Sequence, residues 1–163
     1  MDAWESDGSR QQPSGWESWY REYWGSLVRS AWLMCGSREL AEDLAHDAFV
    51  RLYKSGAQPE KPLPYLRRTV VNLLADSCRR ERIARAVTAE TPAIEMGPQE
   101  METWHLVSGL PLRQRQALVL RYGDDLSIEE IAEVMYCSQA AVKSLVHRGL
   151  EALREEIGKS AEY

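Results

Sequence analysis

Apolar residues recur every three or four positions along most of the 163-residue chain, and this period constrains the fold more than any other feature. Residues 16–34 carry a wide stripe of tryptophan, tyrosine, leucine and valine at that spacing. From Leu40 to Leu52, every fourth residue is a leucine or an alanine. No stretch alternates apolar and polar residues as a half-buried strand would. The sequence therefore predicts an all-α fold.

Turn and capping residues divide this pattern into separate helices. The "CGS" stretch breaks the first helix, Ser37 can cap the second, and Gly56 can end it. A proline-rich loop, "AQPEKPLP", leads to a third helix that is predicted from about Tyr65 to Arg85. A second apolar pattern begins at Leu106 and continues into a helix that Gly123 ends.

Residues 87–103 have the composition of a linker, with two prolines, a glycine, four glutamates and no basic residue. We therefore expect two small helical domains, over residues 16–86 and 104–157, joined by a flexible acidic linker. Two domains of this size each need a compact core. The polar tail over residues 1–15 is expected to be disordered.

Positive charge is concentrated in one block of an acidic chain. The net charge is -5, yet residues 61–86 hold seven basic and two acidic side chains. A basic helix suits a phosphate backbone, although a single arginine run is more often a solvated face. The acidic total repels DNA at long range, so the isolated protein is expected to bind DNA poorly.

The segment from Leu126 to Leu153 predicts two helices with a short turn between them. Ser127 and Glu130 form a capping box for the first helix, and Ser138 can cap the second. This is the pattern of a helix-turn-helix, whose second helix can enter the major groove of DNA. The polar side chains expected on its exposed side are Gln139, Lys143, Ser144, His147 and Arg148.

Two blocks of the chain resemble the extracytoplasmic-function group of the sigma-70 family of RNA polymerase sigma factors. "GSRELAEDLAHDAFVRLY" is similar to region 2.2, whose usual form is close to "(D/S)xxxAEDLxQxxFxRxW". "PYLRRTVVNLLADSCRRERI" is similar to regions 2.3 and 2.4, and the residues from Gly109 to Glu155 are similar to region 4. The resemblance covers roughly residues 16–86 and 104–156, with the blocks in the family's order.

The resemblance implies three sets of contact residues. Region 2.2 docks on the core polymerase, which points to Glu42, Asp43, His46, Asp47 and Arg51. Regions 2.3 and 2.4 open the -10 element and hold flipped bases, which points to Tyr65, Arg68, Asn72, Asp76, Arg79 and Arg80. Region 4 reads the -35 element, which points to the five polar residues of the second helix, Gln139 to Arg148.

The sequence departs from the family at three positions in the helix-turn-helix. Leu145 stands where arginine is usual, Ala141 replaces the usual threonine, and Tyr136 occupies a turn position where glycine is common. Either phosphate contact at the -35 element is weaker, or Leu145 contacts a thymine methyl or a protein partner. Region 2.3 also lacks the tryptophan that is common in relatives.

The expected partners are core RNA polymerase, promoter DNA and an anti-sigma factor, with no cofactor and no membrane insertion. The N-terminus lacks the basic and apolar pattern of a signal peptide, and the three cysteines lack metal or disulfide spacing, which predicts a cytoplasmic protein. A transcriptional regulator that uses the helix-turn-helix alone is the alternative. An enzyme is disfavoured, because His46, His105 and His147 belong to no catalytic motif.

Overall fold

The computed structural model describes residues 15–84 and 96–162, with backbone alone for residues 79–84. This part of the chain is helical and contains no strand, which confirms the all-α prediction. Its seven α-helices are α1 (Gly15–Cys35), α2 (Arg38–Ser55), α3 (Pro62–Ala84), α4 (Pro98–Val107), α5 (Leu112–Leu118), α6 (Ile128–Met135) and α7 (Gln139–Ala161). Helices α1–α3 are called the N-terminal unit below, and α4–α7 the C-terminal unit.

The predicted break between α1 and α2 lies at Gly36. Its φ of 73° is in the left-handed region, which glycine adopts readily. A β-carbon at this position would also overlap the ring of Trp104, so the residue must be small. Ser37 then caps α2 by accepting a hydrogen bond of 3.2 Å from the Leu40 N–H, and α2 ends at Gly56 as predicted.

Helix α3 begins at Pro62, three residues before the predicted start near Tyr65. The loop predicted for residues 57–64 is correspondingly shorter. A proline in the first turn of a helix removes no intrahelical hydrogen bond, because the N–H groups there have no partner in the helix. Pro62 and Pro64 therefore start α3 rather than delay it.

Helix α4 begins at Pro98, inside the segment predicted as linker. The prediction that the linker extends to residue 103 is therefore corrected, and residues 98–103 form the first turns of α4. Composition failed here because α4 is amphipathic and places its two glutamates differently. Glu102 is exposed, whereas Glu100 is half-buried and lies 4.0 Å from Arg29 on α1. Met101 and Trp104, three residues apart, pack against the core instead.

The helix-turn-helix forms as predicted. Ser127 accepts a hydrogen bond of 3.1 Å from the Glu130 N–H, and the Glu130 carboxylate accepts one of 2.7 Å from the Ser127 N–H. Ser138 caps α7 by accepting a hydrogen bond of 3.1 Å from the Ala141 N–H. A wide π-helical turn over Val119–Gly123 connects α5 to the loop before α6.

The two units share one hydrophobic core. Buried side chains from α1, α2 and α3 form one cluster with those of α5, α6 and the π-helical turn, and the Trp32 and Trp104 rings lie 5.8 Å apart across the boundary. Helical periodicity identifies the buried face of a helix but not the element that covers it. None of the described helices is both long and apolar enough to cross a bilayer.

We expect Ser127→Ala to lower the free energy of unfolding by about 1 kcal/mol, because it removes the acceptor for the Glu130 N–H. Ser144→Ala is the matched control, since Ser144 is exposed within α7 and alanine favours a helix interior. Urea denaturation followed by circular dichroism measures both variants. Equal stabilities for the two would show that the capping box does not hold α6.

Candidate nucleic-acid interface

The outer side of α2 carries the five residues predicted to dock on core polymerase. Asp43, His46, Asp47 and Arg51 are exposed, and Glu42 is half-buried. Arg38 Nε donates a hydrogen bond of 3.0 Å to Glu42 Oε1, one turn away along the helix. The opposite side of α2 is buried by α1 and α3. This polar face is therefore supported by a packed core and is open to a partner.

A groove of about 340 Å³ lies beside this face, between α1 and α2. His46 forms part of its wall, together with Trp16, Tyr20, Phe49 and Val50. The Tyr20 ring lies between Trp24, at 4.8 Å, and Phe49, at 5.0 Å. The aromatic stripe of α1 is thus mainly a packing surface, with a shallow opening next to the predicted docking residues.

The four predicted -10 residues whose side chains are described follow one another along α3 at spacings of three or four positions. Asn72 and Asp76 are exposed, whereas Tyr65 and Arg68 are half-buried. The Arg68 guanidinium lies over the Tyr136 ring of the C-terminal unit, 5.5 Å from its centroid. The side chains of Arg79 and Arg80 lie outside the described residues, although both positions belong to α3.

Arg67, beside this stripe, points to the C-terminal unit. Its Nε atom lies 3.4 Å from Asp124 Oδ2, and the two side chains are 12% and 6% exposed. Ser30 on α1 donates a hydrogen bond of 2.6 Å to Asp124 Oδ1. Burial raises the pKa of the Asp124 carboxyl above its usual value, although Ser30, Arg67 and Arg29 act in the opposite direction. The ion pair therefore only partly offsets the desolvation of this carboxylate.

The predicted -35 residues lie on the outer side of α7. Gln139, Lys143, Ser144, His147 and Arg148 are all exposed. The opposite side of α7 packs on α5 and α6, where Leu118 leaves no space for a side chain at Gly149. The helix is thus held rigidly with its polar face outward. His147 Nε2 also lies 3.1 Å from Glu151 Oε1 on the same helix.

The structure accounts for two of the unusual residues in the helix-turn-helix. Leu145 is half-buried and packs against the hydrophobic core, so its apolar character serves the fold. Tyr136 ends α6 with a φ of 57°, in the left-handed region that favours glycine, and its side chain is 79% exposed. Its ring contacts Arg68, as described above. Ala141 lies in the first turn of α7 and is half-buried.

Residues 15–84 and 96–162 contain no group of three or more histidine, cysteine, aspartate or glutamate side chains that could hold a metal ion. The three cysteines are half-buried thiols. Burial raises the pKa of the Cys35 thiol to about 11, which makes it a weak nucleophile at neutral pH. The exposed polar faces of α2, α3 and α7 are therefore the candidate functional surfaces.

Comparison with known proteins agrees with this arrangement. The family model for sigma-70 region 2 matches residues 19–83, and that for sigma-70 region 4 matches residues 100–153. The chain is 31% identical over 150 residues to the RNA polymerase sigma-E factor of Streptomyces coelicolor, covering 86% of this chain and 85% of that protein. This chain belongs to the extracytoplasmic-function group of the sigma-70 family.

Two further similarities extend over both units of this sigma factor. It is 28% identical over 170 residues to the ECF RNA polymerase sigma factor SigE of Mycolicibacterium smegmatis, covering 95% of this chain and 66% of that protein. Its fold matches that of the sigma factor RpoE, solved with the anti-sigma factor NepR from Bartonella quintana, with a TM-score of 0.70, 20% identity and coverage of 87% and 98%. The latter likeness concerns the fold alone.

Sequence reasoning missed the residues that join the two units of this sigma factor. Arg115 Nη1 donates a hydrogen bond of 2.6 Å to the Met34 carbonyl at the end of α1, and its guanidinium lies over the Trp104 ring. Neither Arg115 nor Asp124 belongs to a recognisable motif. Among these interface residues, only Tyr136 stands out in the sequence, because it is a bulky residue at a turn position where glycine is common.

We expect Gly149→Val to destabilise the C-terminal unit by about 1 to 3 kcal/mol, because overpacking displaces α7 from its contact with α5. An added β-carbon at Gly149 would lie 2.9 Å from Leu118 Cδ1, whereas one at Gly158 would meet no atom within 4 Å. Gly158→Val, on the same helix, is therefore the control. Thermal unfolding of both variants measures the difference, and equal melting temperatures would contradict the close packing of α7.

Proposed function

We propose that this sigma factor divides promoter recognition among the three polar faces. The face of α2 binds core polymerase, that of α3 opens and reads the -10 element, and that of α7 reads the -35 element. The observation that carries this proposal is the exposure of all five predicted residues on α7, in a chain where both sigma-70 regions match in order.

The proposed partners are core RNA polymerase, promoter DNA and an anti-sigma factor. Several relatives are named as RNA polymerase sigma factors, and the matched structure of RpoE contains an anti-sigma factor. With these partners, the chain would act in the bacterial cytoplasm. The chain would act there as an initiation factor that binds and positions DNA, and the polymerase would carry the catalytic chemistry.

The net charge of -5 supports separate contributions of this chain and the polymerase to DNA binding. A protein that binds DNA alone derives most of its affinity from basic side chains against phosphates. Here Glu151 lies beside His147 in the proposed reading face, and the long-range field is repulsive. The core enzyme would therefore supply the non-specific affinity, and this chain would supply the choice of site.

Strand opening at the -10 element requires binding energy rather than catalysis. Unstacking a base costs a few kcal/mol, and contacts to the extruded base offset that cost. Asn72 offers both a donor and an acceptor at an exposed position of α3, and Tyr65 offers a ring. Arg79 and Arg80 are proposed from the sequence to hold the adjacent phosphates.

Core-dependent initiation tests the function directly. The purified chain, bacterial core polymerase and fragmented chromosomal DNA from the same organism are expected to yield transcripts from defined start sites that core polymerase alone does not use. Sequencing the 5′ ends of the transcripts identifies those sites. Binding of the chain to DNA without core, together with unchanged start sites, would instead favour the transcriptional regulator.

Exchange of Asp47 for lysine is expected to weaken core binding about tenfold, equivalent to about 1.4 kcal/mol, by reversing a charge on the docking face. Asp47 is exposed, so the fold is retained. Glu155→Lys is the control, because Glu155 is exposed on α7, away from the α2 face. Fluorescence anisotropy of the labelled chain against core polymerase measures both affinities. Equal affinities for the two variants would remove Asp47 from the docking surface.

A further inference from the structure

The buried side of α7 determines which of its residues point most directly outward. Val142 and Gly149 are buried on that side, and the half-buried residues beside them are Leu145, Val146, Leu150 and Leu153. Each residue of an α-helix is rotated by about 100° from the one before. The residues opposite the buried side are therefore spaced by three or four positions, and they are Ala140, Ser144, His147 and Glu151, all exposed. These four are called the centre line of α7 below.

Short side chains occupy the N-terminal end of the centre line. Ala140 and Ser144 lie there, whereas the longer side chains of Gln139, Lys143 and Arg148 lie at its edges. The N-terminal residues of a recognition helix are the ones that contact bases. An α-helix with its side chains is about 10–12 Å in diameter, and the major groove is about 12 Å wide. Short residues in the middle therefore allow the helix to approach the base edges closely, while the long ones reach the groove walls.

The fold does not require an apolar side chain at Ala140. This residue belongs to neither hydrophobic cluster of the described residues, and the cap of α7 uses the Ser138 hydroxyl and the Ala141 N–H. From Ser138 to Glu151, a stretch that the structure describes in full, Ala140 is the one exposed residue that is apolar. Alanine favours a helix, but lysine, arginine and glutamine do so almost as well. Ala140 therefore calls for an explanation outside the fold.

Leu145 does not supply an apolar contact to DNA. The sequence allows a thymine contact for this residue, but its side chain is half-buried and packs against the hydrophobic core. Five positions separate Leu145 from Ala140, which places the two about 140° apart around α7. Of the two, only Ala140 is exposed. An apolar contact of α7 with DNA therefore belongs to Ala140.

A methyl group can select one feature of the major groove. The base edges present hydrogen-bond donors and acceptors there, with which a methyl group cannot pair, and thymine alone adds a methyl group at C5. Cytosine carries hydrogen at the same position. Packing two methyl groups against each other removes apolar surface from water. Ala140 can thus distinguish thymine from cytosine without a hydrogen bond.

We propose that Ala140 is a further specificity-determining residue of this sigma factor, and that its methyl group packs on the C5 methyl group of one thymine in the -35 element. The proposal rests on the proposed function, since it requires that α7 reads this element. It adds to the five predicted polar residues a sixth contact, which is apolar. The -35 element is therefore expected to contain one thymine, on either strand, that cytosine replaces only with a loss of affinity.

Removal of single methyl groups from both partners tests the contact. The chain is assembled with core polymerase and bound to a promoter fragment taken from the mapped start sites. Each thymine of the -35 region, on either strand, is replaced in turn by deoxyuridine, which lacks only the C5 methyl group and keeps its base pairing. On the protein, Ala140→Gly removes the opposing methyl group. Competition against the labelled parent fragment measures each affinity.

Ala141→Gly is the matched control. Ala141 lies in the same turn of α7 but is half-buried, and its backbone N–H can still donate to Ser138 Oγ in the variant. Both substitutions replace an alanine by a glycine in the same helix, so both lower its helix propensity. Urea denaturation of the two variants establishes their stabilities.

We expect the wild type and Ala141→Gly to lose about fourfold in affinity when one particular thymine becomes deoxyuridine, which is the effect of one buried methyl group. Ala140→Gly is expected to bind the parent fragment about fourfold more weakly than Ala141→Gly does. It is expected to lose nothing further at that thymine, because the two changes remove the same contact.

Two results would overturn the contact. One is a wild-type complex that is indifferent to the methyl group of every thymine in the -35 region. The other is an Ala140→Gly complex that remains as sensitive to the same methyl group as the Ala141→Gly complex. Failure of the proposed function is distinguishable, because scrambling the whole -35 element would then leave the affinity of every variant unchanged.

Discussion

The structure depends on the burial of the second half of α1. From Leu27 to Met34 nearly every side chain is buried, with α2 and α3 on one side and α4, α5 and the π-helical turn on the other. Trp32, only 1% exposed, contacts Trp104 of the C-terminal unit. An apolar segment covered on both sides is stable only while both units remain in place. Opening the molecule therefore exposes apolar surface, which core polymerase would need to cover.

The local features of this fold could be predicted from the sequence. The Ser127–Glu130 capping box, the break at Gly36 and the exposed side of α7 all follow from residues within one or two helical turns of each other. The roles of the α2, α3 and α7 faces came from the family resemblance. They remain proposals, although most of their described side chains are exposed.

The long-range features could not be predicted. The contact of Asp124 with Ser30 joins residues 94 positions apart, and that of Arg115 with Met34 joins residues 81 apart. Neither leaves a periodic or compositional signal. The start of α4 at Pro98 was missed for a related reason, because the packing of Met101 and Trp104 on the N-terminal unit offsets an acidic, linker-like composition.

The most direct test is the distance between the two units in the free chain and in the promoter complex. Spin labels at Glu60, before α3, and at Glu129, in the first turn of α6, lie at exposed positions on opposite sides of the interface. Pulsed dipolar spectroscopy should give a short distance for the free chain. It should give a much longer one, beyond the reach of the closed form, once core polymerase and promoter DNA are bound, because about 25 base pairs, or about 85 Å of straight duplex at about 3.4 Å per pair, separate positions -10 and -35. A short distance that persists in a transcribing complex, or a long one in the free chain, would contradict a closed sigma factor that opens to read its promoter.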